Sequence, residues 1–187
     1  MPTIVAMTLA SSSAIATVAA RAMSPNESQT SSRARTPGTM KCRLSSCGLN
    51  QTRMRASMEP MRAAPGVGLA APQVAVSQRV VVIEYAEVPD DLPEDVEPPE
   101  PKLYVVVNPH IVDHSDELVD GNEGCLSLPG IEYDCVRAQR VVAKGFNEYG
   151  DPVIIEGSDL LARCIQHETD HLDGILYPQR VRDLRDF

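Results

Sequence analysis

The chain has 187 residues, enough for one domain of ordinary size, with 43% hydrophobic and 23% charged residues and no apolar run of 18 that would span a membrane. A formal net charge of −9 argues against the basic surface that direct nucleic-acid binding needs. Five unevenly spaced cysteines do not make a disulfide framework, so a reducing compartment with one or more working thiols is expected.

The charge is uneven along the chain. Residues 1–58 hold seven Lys or Arg and one acid, a balance of +6, while the remainder holds ten against 25, or −15. Residues 1–58 are also rich in Ser, Thr and Ala and lack a sustained period of 3.6 or 2. They are expected to be an atypical, disordered or non-native extension, or a transit-like segment; a secretory signal fits less well because no positive charge precedes Arg21. Residues 59–187 are then the folded domain. If residues 1–58 are a transit peptide the compartment is a mitochondrion or chloroplast; otherwise it is the cytoplasm.

Gly66 to Gln73 (GVGLAAPQ) reads as a shaped loop, because two glycines and a proline punctuate it. Residues 79–85 and 103–107 read as buried strands. Between them, residues 87–101 carry seven acids, five prolines and no base, which predicts a solvated surface loop. Residues 131–136, 139–146 and 152–156 read as further strands, with a hairpin turn over 147–151. A helix is predicted from about Asp159 to Asp173, with Ser158 as N-cap and Gly174 as the stop. The fold class is α+β: mostly antiparallel strands packed around one central helix.

That helix carries His167-Glu168-Thr169-Asp170-His171. Residues four apart share a helix face, so both imidazoles can reach one metal ion. Leu160, Cys164, His167 and His171 fall within an arc of roughly 60° at about 100° per residue. The rest of that face is apolar, and a metal would satisfy both buried histidines at once. Glu168 sits beside them, placed to act on a water at the metal's open position. His110 and His114 have the same spacing, but they follow Asn108-Pro109 in a strand or turn pattern and are given no role.

A catalytic metal site needs a third protein ligand. No Glu or His follows His171, and the position where a metzincin pattern would place its third histidine is Tyr177. A zinc endopeptidase would therefore have to recruit Asp173 or Asp183. Upstream, Cys125 in Glu123-Gly124-Cys125-Leu126-Ser127 is the better candidate, since a thiolate is a strong transition-metal ligand and Gly124 allows close approach. Cys164 competes, but one turn before His167 it is expected to pack as a small apolar residue. Cys135 is expected in the core, and Cys42 and Cys47 are given no role.

The segments GVGLAAPQ (66–73), EGCLS (123–127) and QHETDH (166–171) together resemble the three motifs of peptide deformylase, in the same order. The resemblance covers about residues 61–180. It implies a hydrolase that removes the formyl group from the N-terminal formylmethionine of nascent polypeptides, near the ribosome. It implies Cys125, His167 and His171 as metal ligands, usually for Fe(2+) and sometimes for Zn(2+). Glu168 would be the acid–base group, with the Gln73 amide and the Leu126 backbone N–H stabilising the developing oxyanion. Gly68 and Gly124 would let an extended peptide approach, and Val67 and Leu160 would line an apolar pocket for the methionine side chain. The chain departs from the family at its N-terminal end, where residues 1–53 resemble none of the opening strand and helix and Pro60 would break that helix. Position 122, often aromatic in the family, is Asn122. A zinc endopeptidase and a non-catalytic deformylase-like remnant are the alternatives.

Overall fold

The computed structural model describes residues 61–62, 66–89, 91–93 and 95–181. The expected extension over residues 1–58 lies outside the described residues, as do Cys42, Cys47 and Asp183. Seven strands and one complete α-helix are present among the described residues: β1 (Gly68–Ala70), β2 (Val80–Tyr85), β3 (Lys102–His114), β4 (Leu118–Cys125), β5 (Leu128–Ala138), β6 (Arg140–Phe146), β7 (Pro152–Ser158) and α1 (Asp159–Leu172). Every strand pair is antiparallel. One sheet has the order β1-β2-β3-β6-β7, and β4 and β5 form a separate two-stranded sheet.

The Val80–Ile83 run is buried throughout. Strand alternation sends Val81 and Ile83 toward α1, where they join Val106, Val141, Ala143, Ile155, Leu161, Ala162 and Ile165 in one core. Val80 and Val82 face the other way, onto smaller clusters with Val107 and with Leu69, Val74, Met61 and Leu126. Each such aliphatic side chain contributes about 1.5–3 kcal/mol on full burial. The sheet is thus covered on both faces, which is why β2 reads as a continuous apolar run.

Several sequence expectations need correction. Gly66–Gln73 is not all loop: it contains β1, then a turn of 3-10 helix over Ala71–Val74. β3 runs seven residues past the expected end at 107. The chain passes through Asn108 at φ 51° and Pro109, and two register shifts against β6 absorb them. His110 and His114 are both exposed on this strand. β4 was not expected as a strand, because LVDGNEGC has turn-like composition; it is held by continuous pairing with β5 from Leu118↔Ala138 to Gly124↔Glu132. β5 is longer than 131–136 for the same reason.

The segment between β2 and β3 forms no strand or helix and is mostly exposed where described, as its acids and prolines require. The 147–151 hairpin is present: Asn147 Oδ1 accepts from the Tyr149 and Asp151 amides, and Gly150 takes φ 94°. Ser158 makes no side-chain cap; it is still extended as the last residue of β7, and the turn into α1 is made at Asp159, whose N–H donates to Gln139 O. Gly174, at φ 77°, ends the helix by donating to His171 O. Met61 and Arg62 are helical immediately after Pro60.

Candidate metal centre

The helix of α1 needs no special explanation: its 14 residues contain neither Gly nor Pro, and its apolar positions face the main core. It lies between the five-stranded sheet and the β4–β5 pair, which brings its histidines to the end of β4. Cys125 Sγ is 3.3 Å from His171 Nε2, and the two Nε2 atoms are 3.2 Å apart. The three donor atoms lie within 4.8 Å of one another, and all three residues are buried. One thiolate and two imidazole nitrogens at this spacing are a transition-metal donor set.

The electrostatics agree with that fit. Burial alone would push the Cys125 thiol up, but hydrogen bonds from His167 and His171 outweigh it and bring it down to about 6. Burial would lower His167, yet its bonds to Cys125 and Glu123 raise it to about 10. A bound cation would compete with protons for these donor atoms, since thiols and imidazoles ligate in their deprotonated forms. Burial pushes Glu168 up to about 7 against the lowering influence of the two imidazoles, and both of its carboxylate oxygens are buried without a hydrogen-bond partner. An unsatisfied buried carboxylate costs stability and is retained where it has chemistry to do.

Gln73 is oriented from both ends. Its Oε1 accepts the Ala70 N–H at 2.8 Å, which turns Nε2 toward Ser127 Oγ at 3.2 Å and Cys125 Sγ at 3.8 Å. The amide N–H groups therefore point into the centre. Gly68 is required by a close approach: a Cβ there would lie 2.6 Å from Glu168 Oε1 and 2.7 Å from Cys164 Sγ. Gly124 and Leu126 are buried beside Cys125, Val67 packs against the main core, and Leu160 is half-buried at the start of α1.

The competing ligands fall away. Cys164 is packed in the main core, where burial raises its thiol well above the ordinary value. Cys135 is fully buried, with its thiol directed at Tyr177 O. Asp173 is half-exposed and paired with Arg79. Sequence reasoning missed the groups behind the ligands. His167 Nδ1–H donates to Glu123 Oε2 at 2.9 Å, and Tyr177 stacks on the His167 ring at 6.2 Å between centroids. Arg137 and Arg163 bond to Glu123. A signal existed for one of them: Arg163, His167 and His171 recur every four residues on the helix, which places a guanidinium in line with the imidazoles.

Comparison with known proteins agrees with this geometry. A family model described as polypeptide deformylase matches residues 48–187, beginning ahead of residue 59. A peptide deformylase of Acidothermus cellulolyticus is 56% identical over 124 residues, covering 66% of this chain and 61% of that protein. The chain therefore spans about three fifths of the length of that relative. The crystal structure of a peptide deformylase from Ehrlichia chaffeensis superposes with a TM-score of 0.62 at 36% identity, over 72% of this chain and 75% of that one. A class I type b peptide deformylase from Acinetobacter baumannii, bound to Met-ala-ser, gives 0.61 at 37% identity, over 70% and 79%. With the three motifs, the fold and the donor cluster in agreement, the chain belongs to the peptide deformylase family.

Proposed function

We propose that this chain is a metal-dependent hydrolase that removes the formyl group from the N-terminal formylmethionine of newly made polypeptides. The observation that carries the reading is the Cys125–His167–His171 donor cluster flanked by the unpartnered Glu168 carboxylate and the Gln73 amide. The three ligands would hold one divalent transition metal, Fe(2+) first, with Zn(2+) or another ion as the alternative. When bound, that ion supplies a Lewis acid that polarises the formyl carbonyl and eases ionisation of water.

The chain's own groups account for the rest. Glu168 takes a proton from the attacking water and delivers it to the amine nitrogen as the C–N bond breaks, so that formate and a free N-terminus leave. Its raised pKa, about 7, suits a group that must both accept and return a proton. Gln73 Nε2 and the Leu126 backbone N–H donate to the oxygen that gains charge. β1 is an edge of its sheet, and the Ala70 N–H points away from β2 into Gln73. Strand alternation puts the Gly68 N–H and C=O on that same outer edge, where an extended peptide can add as a further strand. Gly124 leaves room on the opposite side, and Val67 and Leu160 line the pocket for the methionine side chain. The Met-ala-ser bound to the Acinetobacter relative supports this choice of substrate.

The working place is the bacterial cytoplasm near ribosomes, or an organelle if residues 1–58 are a transit peptide. The relatives are bacterial, and among the described residues no helix is long and apolar enough to cross a membrane. No observation favours the zinc endopeptidase, since Cys125 supplies the third donor. Anaerobically prepared protein should release formate from formyl-Met-Ala-Ser and leave unformylated Met-Ala-Ser uncut. Cleavage of internal peptide bonds, or no formate, overturns the reading. Iron as the working metal is tested separately: iron-loaded protein should lose activity in air faster than nickel- or zinc-loaded protein.

A further inference from the structure

The two halves of the metal centre ride on different bodies. Cys125 ends β4, whose two-stranded sheet shares no ladder with the five-stranded one, and both histidines belong to α1. What joins them is a buried chain of charged groups centred on Glu123. Glu123 Oε2 accepts from His167 Nδ1 and from Arg137 Nη2, each at 2.9 Å. Its Oε1 accepts from Arg137 Nε at 2.8 Å and from Arg163 Nη1 at 2.9 Å. Arg163 reaches across from α1 and also donates to Val119 O, Gly121 O and Cys135 O, gripping both strands of the hairpin. Gly121 is what admits it: a methyl there would sit 2.6 Å from the guanidinium. Arg137 continues to Asp170 at 2.6 Å, and Asp170 to Arg180, whose side chain is 44% exposed.

We propose that Glu123 is a positioning residue of the metal centre. It holds the proton of His167 on Nδ1, so that Nε2 faces the ion, and through Arg163 and Arg137 it locks the β4–β5 hairpin against α1, so that Cys125 meets both imidazoles. Oε1 is taken by the two guanidiniums, and Oε2 is shared between Arg137 and the ligand imidazole, so one carboxylate belongs both to the staple and to the metal centre. Outer partners of this kind set the ring orientation and basicity of a ligating histidine. The inference rests on the metal-site reading above but not on the hydrolytic reaction.

The test is metal affinity of the whole chain, with zinc and cobalt(II) as probes in chelator competition, together with the cobalt(II) absorption spectrum and thermal unfolding. Glu123→Gln should weaken binding about 10- to 100-fold and shift the cobalt bands, because the ring and its tautomer are no longer fixed. Arg180→Gln, at the exposed end of the chain of charges, should change affinity less than threefold. If Glu123→Gln lowers only the unfolding midpoint, while the folded protein keeps native affinity and native cobalt bands, Glu123 is a structural staple and the proposal is overturned. Should that variant not fold, Arg137→Lys, which keeps the charge but loses the two-pronged contact, is read the same way: weaker binding and shifted bands support the role, native values overturn it. A native chain that binds neither metal overturns the site reading itself, and this inference with it; native binding with unaltered variants overturns this inference alone.

Discussion

Cys125 and Cys164 are both buried thiols within reach of the same helix, and their surroundings separate them. The imidazoles of His167 and His171 overcome burial and favour the thiolate at Cys125, whereas burial among apolar groups, with Glu168 and Glu123 nearby, disfavours it at Cys164. Cys125→Ala is therefore expected to abolish stoichiometric metal binding and Cys164→Ala to retain it, as read by metal analysis of anaerobically purified protein. Glu168 gives a second contrast. Burial disfavours its charged form, so an uncharged amide of the same shape fits the site no worse. Glu168→Gln should keep its metal, unfold no lower than the native chain, and lose turnover by about 10²-fold or more in formate release. A variant that is less stable yet still active would reverse the role given to this residue.

Between elements, two glycines mark close approaches with different consequences. At Gly68, β1 lies against Glu168 and Cys164, so Gly68→Ala must displace the acid–base group itself. At Gly157, β7 lies against Ile165, Leu161 and the Ala162 amide, away from the ligands, with contacts of 3.0–3.1 Å to an added Cβ. Each change should cost about 1–3 kcal/mol of stability by overpacking. Formate release per folded molecule should collapse for Gly68→Ala and stay near native for Gly157→Ala. The hairpin–helix junction is sensitive to pH. Burial opposes ionisation of Glu123, but bonds from Arg137 and His167 hold its carboxyl at about 2, below the ordinary 4.5. A depressed carboxyl contributes stability in full above about pH 4.5 and loses it as pH falls toward 2. In metal-free protein, the deficit of Glu123→Gln against native, about 3–5 kcal/mol near neutrality, should shrink over that window in urea titrations.

At the scale of the molecule, the family match begins at residue 48, so residues 1–47 stand outside it. Their basic, Ser-rich composition shows no sustained period that would give a strand or helix one apolar face to pack on the domain. A chain starting at residue 48 is expected to keep the metal affinity, formate release and unfolding midpoint of the full chain. A clear fall in midpoint at equal metal loading would show that the removed residues pack on the domain.

Periodicity and chemistry made much of this protein legible in its sequence. The apolar runs of β2 and β6, the limits of α1 within one residue, and the i, i+4 histidines all follow from local rules, because side-chain spacing along one element is fixed by backbone geometry. The three motifs, taken together, gave the family and the candidate ligands. β4 stayed hidden because its glycines, Asn122 and acids favour turns, and only pairing with β5 and the grip of Arg163 make it a strand. Pro109 hid the second half of β3 for a similar reason. The tertiary structure alone decided what stands behind the ligands. Glu123, Arg137 and the pair Arg163 and Asp170 come from three different elements, β4, β5 and α1, and charges of this kind read as surface until folding buries them against one another. Which buried thiol faces two imidazoles, and which faces aliphatic side chains, is likewise set by how β4 and α1 pack, a distance relation that no local pattern encodes.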